Sequence, residues 1–230
     1  METIGTRLQA VRARIARACH QAGRDANSVT LLAVSKGFGP EAVRAAYAAG
    51  QRAFGENYAQ EALAKMEGLA DLRSRTEWHF IGPLQSNKTR PVAEVFDWVH
   101  SADRLRIAQR LAEQRPAWLP PLNLCLQVNV SGEASKSGVA PPELPALAEA
   151  VAALPASRVR LAGLMSIPEP SADGAAQRAA HRRLRELRDE LRARGLVLDT
   201  LSMGMSGDLE AAIAEGSTLV RVGTAIFGAR

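Results

Sequence analysis

Residues 30–50, TLLAVSKGFGPEAVRAAYAAG, hold a complete strand-and-helix unit, and the reading of that unit decides the fold. Residues 30–35 (TLLAVS) are an apolar run without polar alternation, the pattern of a parallel strand covered on both faces. Lys36-Gly37 ends the run. Pro40 sits where a missing N–H costs nothing, in the first turn of a helix, and Glu41 suits the same helix end. Gly50 closes that helix. A strand that feeds directly into a helix brings the chain back for a parallel neighbour.

The same alternation extends in both directions. Residues 3–22 carry Ile4, Leu8, Val11, Ile15 and Ala18 on one helical face. Further strands are expected at 52–55, 77–81, 98–100, 122–130, 159–167, 198–202 and 218–222. Helices are expected from Asn57, at 86–95, at 104–114 with Ser101 or Asp103 as cap, and at 141–154, 175–194 and 208–214. This gives eight strands and eight helices, one helix leading and none after the last strand, at about 29 residues per unit. No Ser-, Gly- or Pro-rich run divides the chain, so residues 1–230 read as a single domain. The pattern predicts an α/β fold, a single (β/α)8 TIM barrel at the short end of its size range. A doubly wound open sheet is the alternative, because periodicity does not show closure. The missing GxGxxG at the first strand counts against a dinucleotide site.

Composition narrows the function classes. With 47% hydrophobic and 23% charged residues the chain is globular, neither disordered nor fibrous. No apolar run is long enough for a membrane span, and the N-terminus lacks the apolar stretch of a signal peptide, so the cytoplasm is the expected compartment. Cys19 and Cys125 have no CxxC spacing and read as buried thiols. No apolar exterior stripe stands out, so a monomer is expected. The net charge is +5, from four lysines and twenty-five arginines set against the acids. The densest basic run, 177–195, contains seven arginines but also Glu186, Asp189 and Glu190, the mixture of a solvated helix face. Aromatics are only 4%, too few for stacking platforms, so nucleic acid is not an expected partner.

Three clusters carry the chemistry. Leu32, Val34 and Lys36 share one strand face, so Lys36 reaches the C-terminal end of its strand among apolar neighbours, where desolvation favours a neutral amine. Such an amine attacks aldehydes. Arg221, Gly223 and Thr224 stand at the end of the last strand, where barrels commonly bind phosphate, and Gly223 admits a close backbone approach. Ser202-Met203-Gly204-Met205-Ser206-Gly207 follows the seventh strand and leads into a helix, although Asp208 and Glu210 oppose an anion there. An aldehyde at one end and a phosphate at the other describe pyridoxal 5′-phosphate (PLP), or a sugar phosphate in an imine-forming aldolase. Asn57 reads as a helix cap or a ring contact, and His79 as a core histidine or a site residue. Residues 130–138 (VSGEASKSG) read as a surface loop or as a lid with Lys136 as a second amine. The dispersed histidines show no metal spacing, and no GxSxG or P-loop motif occurs.

In AVSK around Lys36, FGENYAQE (54–61), WHFIGPLQSNK (78–88), VNVSGEASKSG (128–138), GLMSIP (163–168), LSMGMSGDLEAAIAEGST (201–218) and VRVGTAIFGAR (220–230), the chain resembles the pyridoxal phosphate homeostasis proteins. The resemblance implies a barrel similar to the N-terminal domain of alanine racemase, the third PLP fold type. It implies that Lys36 holds PLP as an imine and that Arg221 faces the pyridine nitrogen. It further implies that Gly223, Thr224, Ser202 and Ser206 bind the phosphate and that Asn57 and His79 line the ring pocket. An arginine does not give up its proton, so it leaves the ring nitrogen unprotonated and the cofactor a poor electron sink. The second base of alanine racemase comes from an additional β domain, for which this chain has no expected residues. The expectation is therefore a non-catalytic PLP-binding protein of vitamin B6 homeostasis that supplies PLP-dependent apo-enzymes. The alternative is an amino-acid racemase or decarboxylase of the same fold type.

Overall fold

Eight parallel strands close on themselves in the computed structural model, which describes residues 2–132 and 137–229. They are β1 (Thr30–Val34), β2 (Ala53–Glu56), β3 (Glu77–Phe80), β4 (Trp98–Ala102), β5 (Leu122–Gln127), β6 (Val159–Met165), β7 (Thr200–Ser202) and β8 (Leu219–Val222). Their order around the barrel is their order in sequence, and β8 pairs back onto β1 with Leu32 opposite Arg221. Closure eliminates the open-sheet alternative. Outside run α1 (Ile4–Gln21), α2 (Pro40–Ala48), α3 (Ala59–Glu67), α4 (Thr89–Val95), α5 (Leu105–Gln114), α6 (Leu144–Ala152), α7 (Gly174–Ala193), α8 (Leu209–Ala214) and α9 (Thr224–Phe227). Lys136, read above as a lid amine, lies outside the described residues.

Several local expectations are corrected. A helix does follow the last strand: α9 is a single turn, too short to show a helical period in sequence. It is fixed by Arg7, which donates to the Phe227 carbonyl at 3.3 Å, and by the Phe227 ring stacked on Phe38. Asn57 does not cap α3, whose N-cap is Tyr58 and makes no side-chain bond. Neither Ser101 nor Asp103 caps α5, whose N-cap is Arg104. The fifth strand stops at Gln127, short of the 130 expected, and Val128 continues only as a bridge to Val139. Thr3 and Asp173 cap α1 and α7 with their side chains, and Gly195, expected to close the long helix, leaves α7 at φ 93°.

Strand alternation divides the core in two. Leu31, Ala33, Phe54, Trp78 and Phe80 face outward into a shell shared with the helices. Leu32, Ala53 and Leu219, with Ile81 against them, fill the barrel interior. Gly55 leaves room for that inner layer, since a Cβ there would lie 3.1 Å from Leu32 Cδ2.

A buried polar knot fixes the end of β1, where Lys36 begins. Lys65 Nζ donates to Glu56 Oε1 at 2.5 Å and to the Ser35 carbonyl at 2.8 Å, and the Ser35 hydroxyl donates to the same carboxylate at 2.6 Å. Burial pushes the Glu56 carboxyl above its usual range against the pull of Lys65. Removing one partner of a buried pair strands the other, so Lys65→Met is expected to cost on the order of 3 kcal/mol in chemical denaturation. Adding Glu56→Gln should recover a large part of the loss. A double variant no more stable than Lys65→Met would place the cost in packing rather than in the stranded charge.

Candidate functional site

The C-terminal ends of β1 and β8 lie side by side and carry the first cluster. A cavity of about 320 Å³ is lined by Val34, Lys36, Phe38, Gly223, Thr224, Gly228 and Ala229. Lys36 is half-buried there, and Thr224 lines the same cavity at the start of α9. The two strand ends approach so closely that a Cβ on Gly223 would lie 3.2 Å from the Val34 carbonyl oxygen. Three of the residues singled out from the sequence therefore share one pocket.

Arg221 is placed one inward position before Gly223 and is buried, with 4% of its surface exposed. Its Nη1 donates to the Ser202 carbonyl at 2.6 Å and to Ser202 Oγ at 2.7 Å, and its Nη2 to the Ser166 carbonyl at 2.8 Å. Among the described residues no carboxylate hydrogen-bonds to it. Burial pulls its pKa down to about 10, with Asp208 opposing, so it stays cationic at neutral pH. Asp208 is itself engaged, by His181 Nε2 at 3.0 Å and the Met205 amide at 2.7 Å.

The other expected residues divide. Ser202 is engaged inside the barrel: its side chain is fully buried and its hydroxyl is held between Arg221 and His100 Nδ1, the latter at 2.8 Å. Ser206 is half-buried on the loop before α8, where its carbonyl accepts from Arg14 at 2.8 Å. Asn57 follows β2, and its shielded Oδ1 has no hydrogen-bond partner among the described residues. His79 does not line the pocket beside Lys36. It points into the barrel, stacks on Trp98 at 5.4 Å and bonds His100 Nε2 through Nδ1 at 2.9 Å. It borders a cavity of about 290 Å³ at the opposite end of the barrel, with Thr30, Glu77, Trp98, Thr200 and Leu219. The reason is stagger: His79 is level with Trp98, the first residue of β4, so it sits low in the barrel.

Two residues escaped the sequence reading. His100 is fully buried on β4, and its only signal was alternation with Trp98 and Ala102. Ser166 follows β6 within GLMSIP; its carbonyl holds Arg221, and its own buried Oγ has no hydrogen-bond partner among the described residues. An amine, a hydroxyl, a buried cation and two unpartnered buried polar atoms surround one end of the barrel. That set fits a ligand with an electrophilic carbon, an anionic group and ring substituents. No three His, Cys, Asp or Glu side chains among the described residues are placed to hold a metal.

The chain is similar to several known proteins. The family model for the N-terminal domain of alanine racemase matches residues 6–230. The pyridoxal phosphate homeostasis protein of Pseudomonas aeruginosa is 67% identical over 230 residues, covering 100% of this chain and 97% of that protein. The structure of PipY from Synechococcus elongatus with PLP bound superposes with a TM-score of 0.84 at 40% identity, over 98% of this chain and 100% of PipY. Alanine racemase from Corynebacterium glutamicum shares the fold at 19% identity and a TM-score of 0.67, over 95% of this chain but 60% of the racemase. The chain belongs to the alanine racemase N-terminal domain family, in the group formed by the pyridoxal phosphate homeostasis proteins.

Proposed function

We propose that this protein binds PLP at Lys36 without turning over amino acids, and that it acts in intracellular vitamin B6 supply. The observation that carries this reading is Lys36 in one pocket with Gly223 and Thr224, beside a buried Arg221 that has no acid partner among the described residues. When bound, PLP supplies an aldehyde for an amine and a ring that stores electrons only when its nitrogen is protonated. Lys36 is the amine. Arg221, a donor at every position, faces the ring nitrogen and has no proton to give it at neutral pH. Gly223 lets the phosphate approach the backbone, with Thr224 and Ser206 as hydroxyl donors. Asn57 Oδ1 takes a ring substituent, and Ser202 acts on Arg221 instead of on the phosphate.

The named function of the Pseudomonas aeruginosa relative and the PLP bound in PipY support the ligand. Residues 1–230 act as one binding unit, because the barrel draws on both ends of the chain. The protein works as a monomer that passes PLP to apo-enzymes in the cytoplasm, a compartment that suits two buried free cysteines.

Borohydride reduction followed by peptide mass spectrometry should find a pyridoxyl group on Lys36 and none in Lys36→Ala. The same adduct in Lys36→Ala, or no adduct after incubation with excess PLP, would overturn the assignment. The PLP-loaded protein should leave the α-proton of every common amino acid unexchanged in deuterium oxide. Exchange with any of them would make the protein an enzyme.

A further inference from the structure

The contacts of Arg221 continue through the barrel to its other end. Arg221 Nη1 meets Ser202 Oγ at 2.7 Å, Ser202 Oγ meets His100 Nδ1 at 2.8 Å, and His100 Nε2 meets His79 Nδ1 at 2.9 Å. His79 Nε2 then faces Glu77 Oε2 at 3.4 Å, short of a full hydrogen bond. The three middle groups are buried, whereas the Glu77 side chain is 47% exposed. The chain therefore links a solvated carboxylate at the N-terminal end of the barrel to a buried guanidinium at the C-terminal end.

The Arg221 end sets its direction. A guanidinium only donates and a carboxylate only accepts. Ser202 Oγ accepts from Arg221, and in the arrangement that leaves no hydrogen without an acceptor its own hydrogen goes to the lone pair on His100 Nδ1. His100 then carries its hydrogen on Nε2 and donates to His79 Nδ1. His79 carries its hydrogen on Nε2 and directs it at Glu77. Every hydrogen then points from Arg221 toward Glu77, and His100 is neutral. Burial, then His79 and Arg221, hold His100 well below the usual histidine range. The nearby His79 and the Trp98 N–H hold Glu77 below the usual carboxylate range against burial. The remaining groups near the chain do not compete. Cys125 is a neutral thiol, pushed up to about 12 by burial. Asp199 and Thr200 border the Glu77 cavity, and Asp208 is paired with His181.

We propose that Glu77, His79 and His100 are positioning residues that act through Ser202 to hold Arg221 in one orientation. The proposal rests on the reading that Arg221 faces the ring nitrogen of bound PLP. Reversing the chain would place hydrogens of both His100 and Arg221 on Ser202 Oγ and leave the serine hydrogen without its acceptor. Arg221 would then lose its fixed contact at Oγ.

The test is an absorbance titration of the PLP-loaded protein against pH. Glu77→Gln keeps an acceptor for Trp98 Nε1, which now donates to Glu77 Oε1 at 2.6 Å, and turns an amide N–H toward His79. Glu77→Gln and His100→Leu should each raise the pH at which the ring nitrogen takes up a proton by about one unit, a tenfold effect. His100→Asn places an acceptor near the former Nδ1 position and should move the midpoint back toward wild type, which a purely volumetric role of His100 would not do. Should His100→Leu fail to fold, Glu77→Gln decides alone, since that side chain is half-exposed. Titrations of Glu77→Gln and of any folded His100→Leu that coincide with wild type, with the Lys36 adduct intact, would overturn the proposal while leaving the PLP reading in place. Absence of the Lys36 adduct in wild type would overturn the PLP reading first, and this proposal with it.

Discussion

A guanidinium buried inside a closed barrel must find all its acceptors within the barrel, and that constraint organises the interior. A buried cation left without partners costs far more than a domain's net stability, so the strands around Arg221 are committed to serving it. β6 and β7 supply carbonyl oxygens from Ser166 and Ser202. β4 supplies His100, which takes the serine hydrogen, and β3 supplies His79 behind it. Leu32, Ala53, Leu219 and Ile81 fill the apolar remainder of the interior. The pocket with Lys36 opens where β8 meets β1.

The abundance of arginine has a structural explanation in the same terms. Arg12 donates to the carbonyls of Ala49 and Gly50 at the end of α2, and Arg24 to that of Ile213 near the end of α8. Arg115, itself buried, donates to the carbonyls of Ala93, Phe96 and Pro120. These are helix-terminal or loop oxygens without a helical partner, which a forked donor suits better than an ammonium. The dense run on α7 converges on one buried acid: Arg178, Arg182 and Arg185 all reach Glu215 within 3.1 Å. A basic composition arises here from tying helices to the barrel, with no nucleic-acid partner needed to account for it.

How legible each feature was depends on whether it is local. The strand at 30–35, the Pro40 start of α2 and the Gly195 end of α7 rest on neighbours in sequence and could be read directly. Lys36, Gly223 and Thr224 were legible because each ends a strand, and barrel strand ends converge. Closure was not legible, since it depends on β8 returning to β1 across the length of the chain. The stagger between β3 and β4 was also hidden, and it moves His79 from the expected ring pocket to the far end of the barrel. Ser202 sits in a phosphate-like SMGMS motif, yet the buried donor that claims its hydroxyl lies on another strand. His100 had no motif at all, and its role exists only because four strands bring their inward residues into line.

The central claim is that Arg221, held from behind through Ser202, keeps the ring nitrogen of bound PLP unprotonated. Nitrogen-15 NMR of the protein loaded with PLP labelled at the ring nitrogen tests this most directly. The account predicts the chemical shift of an unprotonated pyridine nitrogen at neutral pH, moving toward the protonated value only when Arg221 is replaced or its contacts are disturbed. A pyridinium shift in the wild-type protein at neutral pH would contradict it.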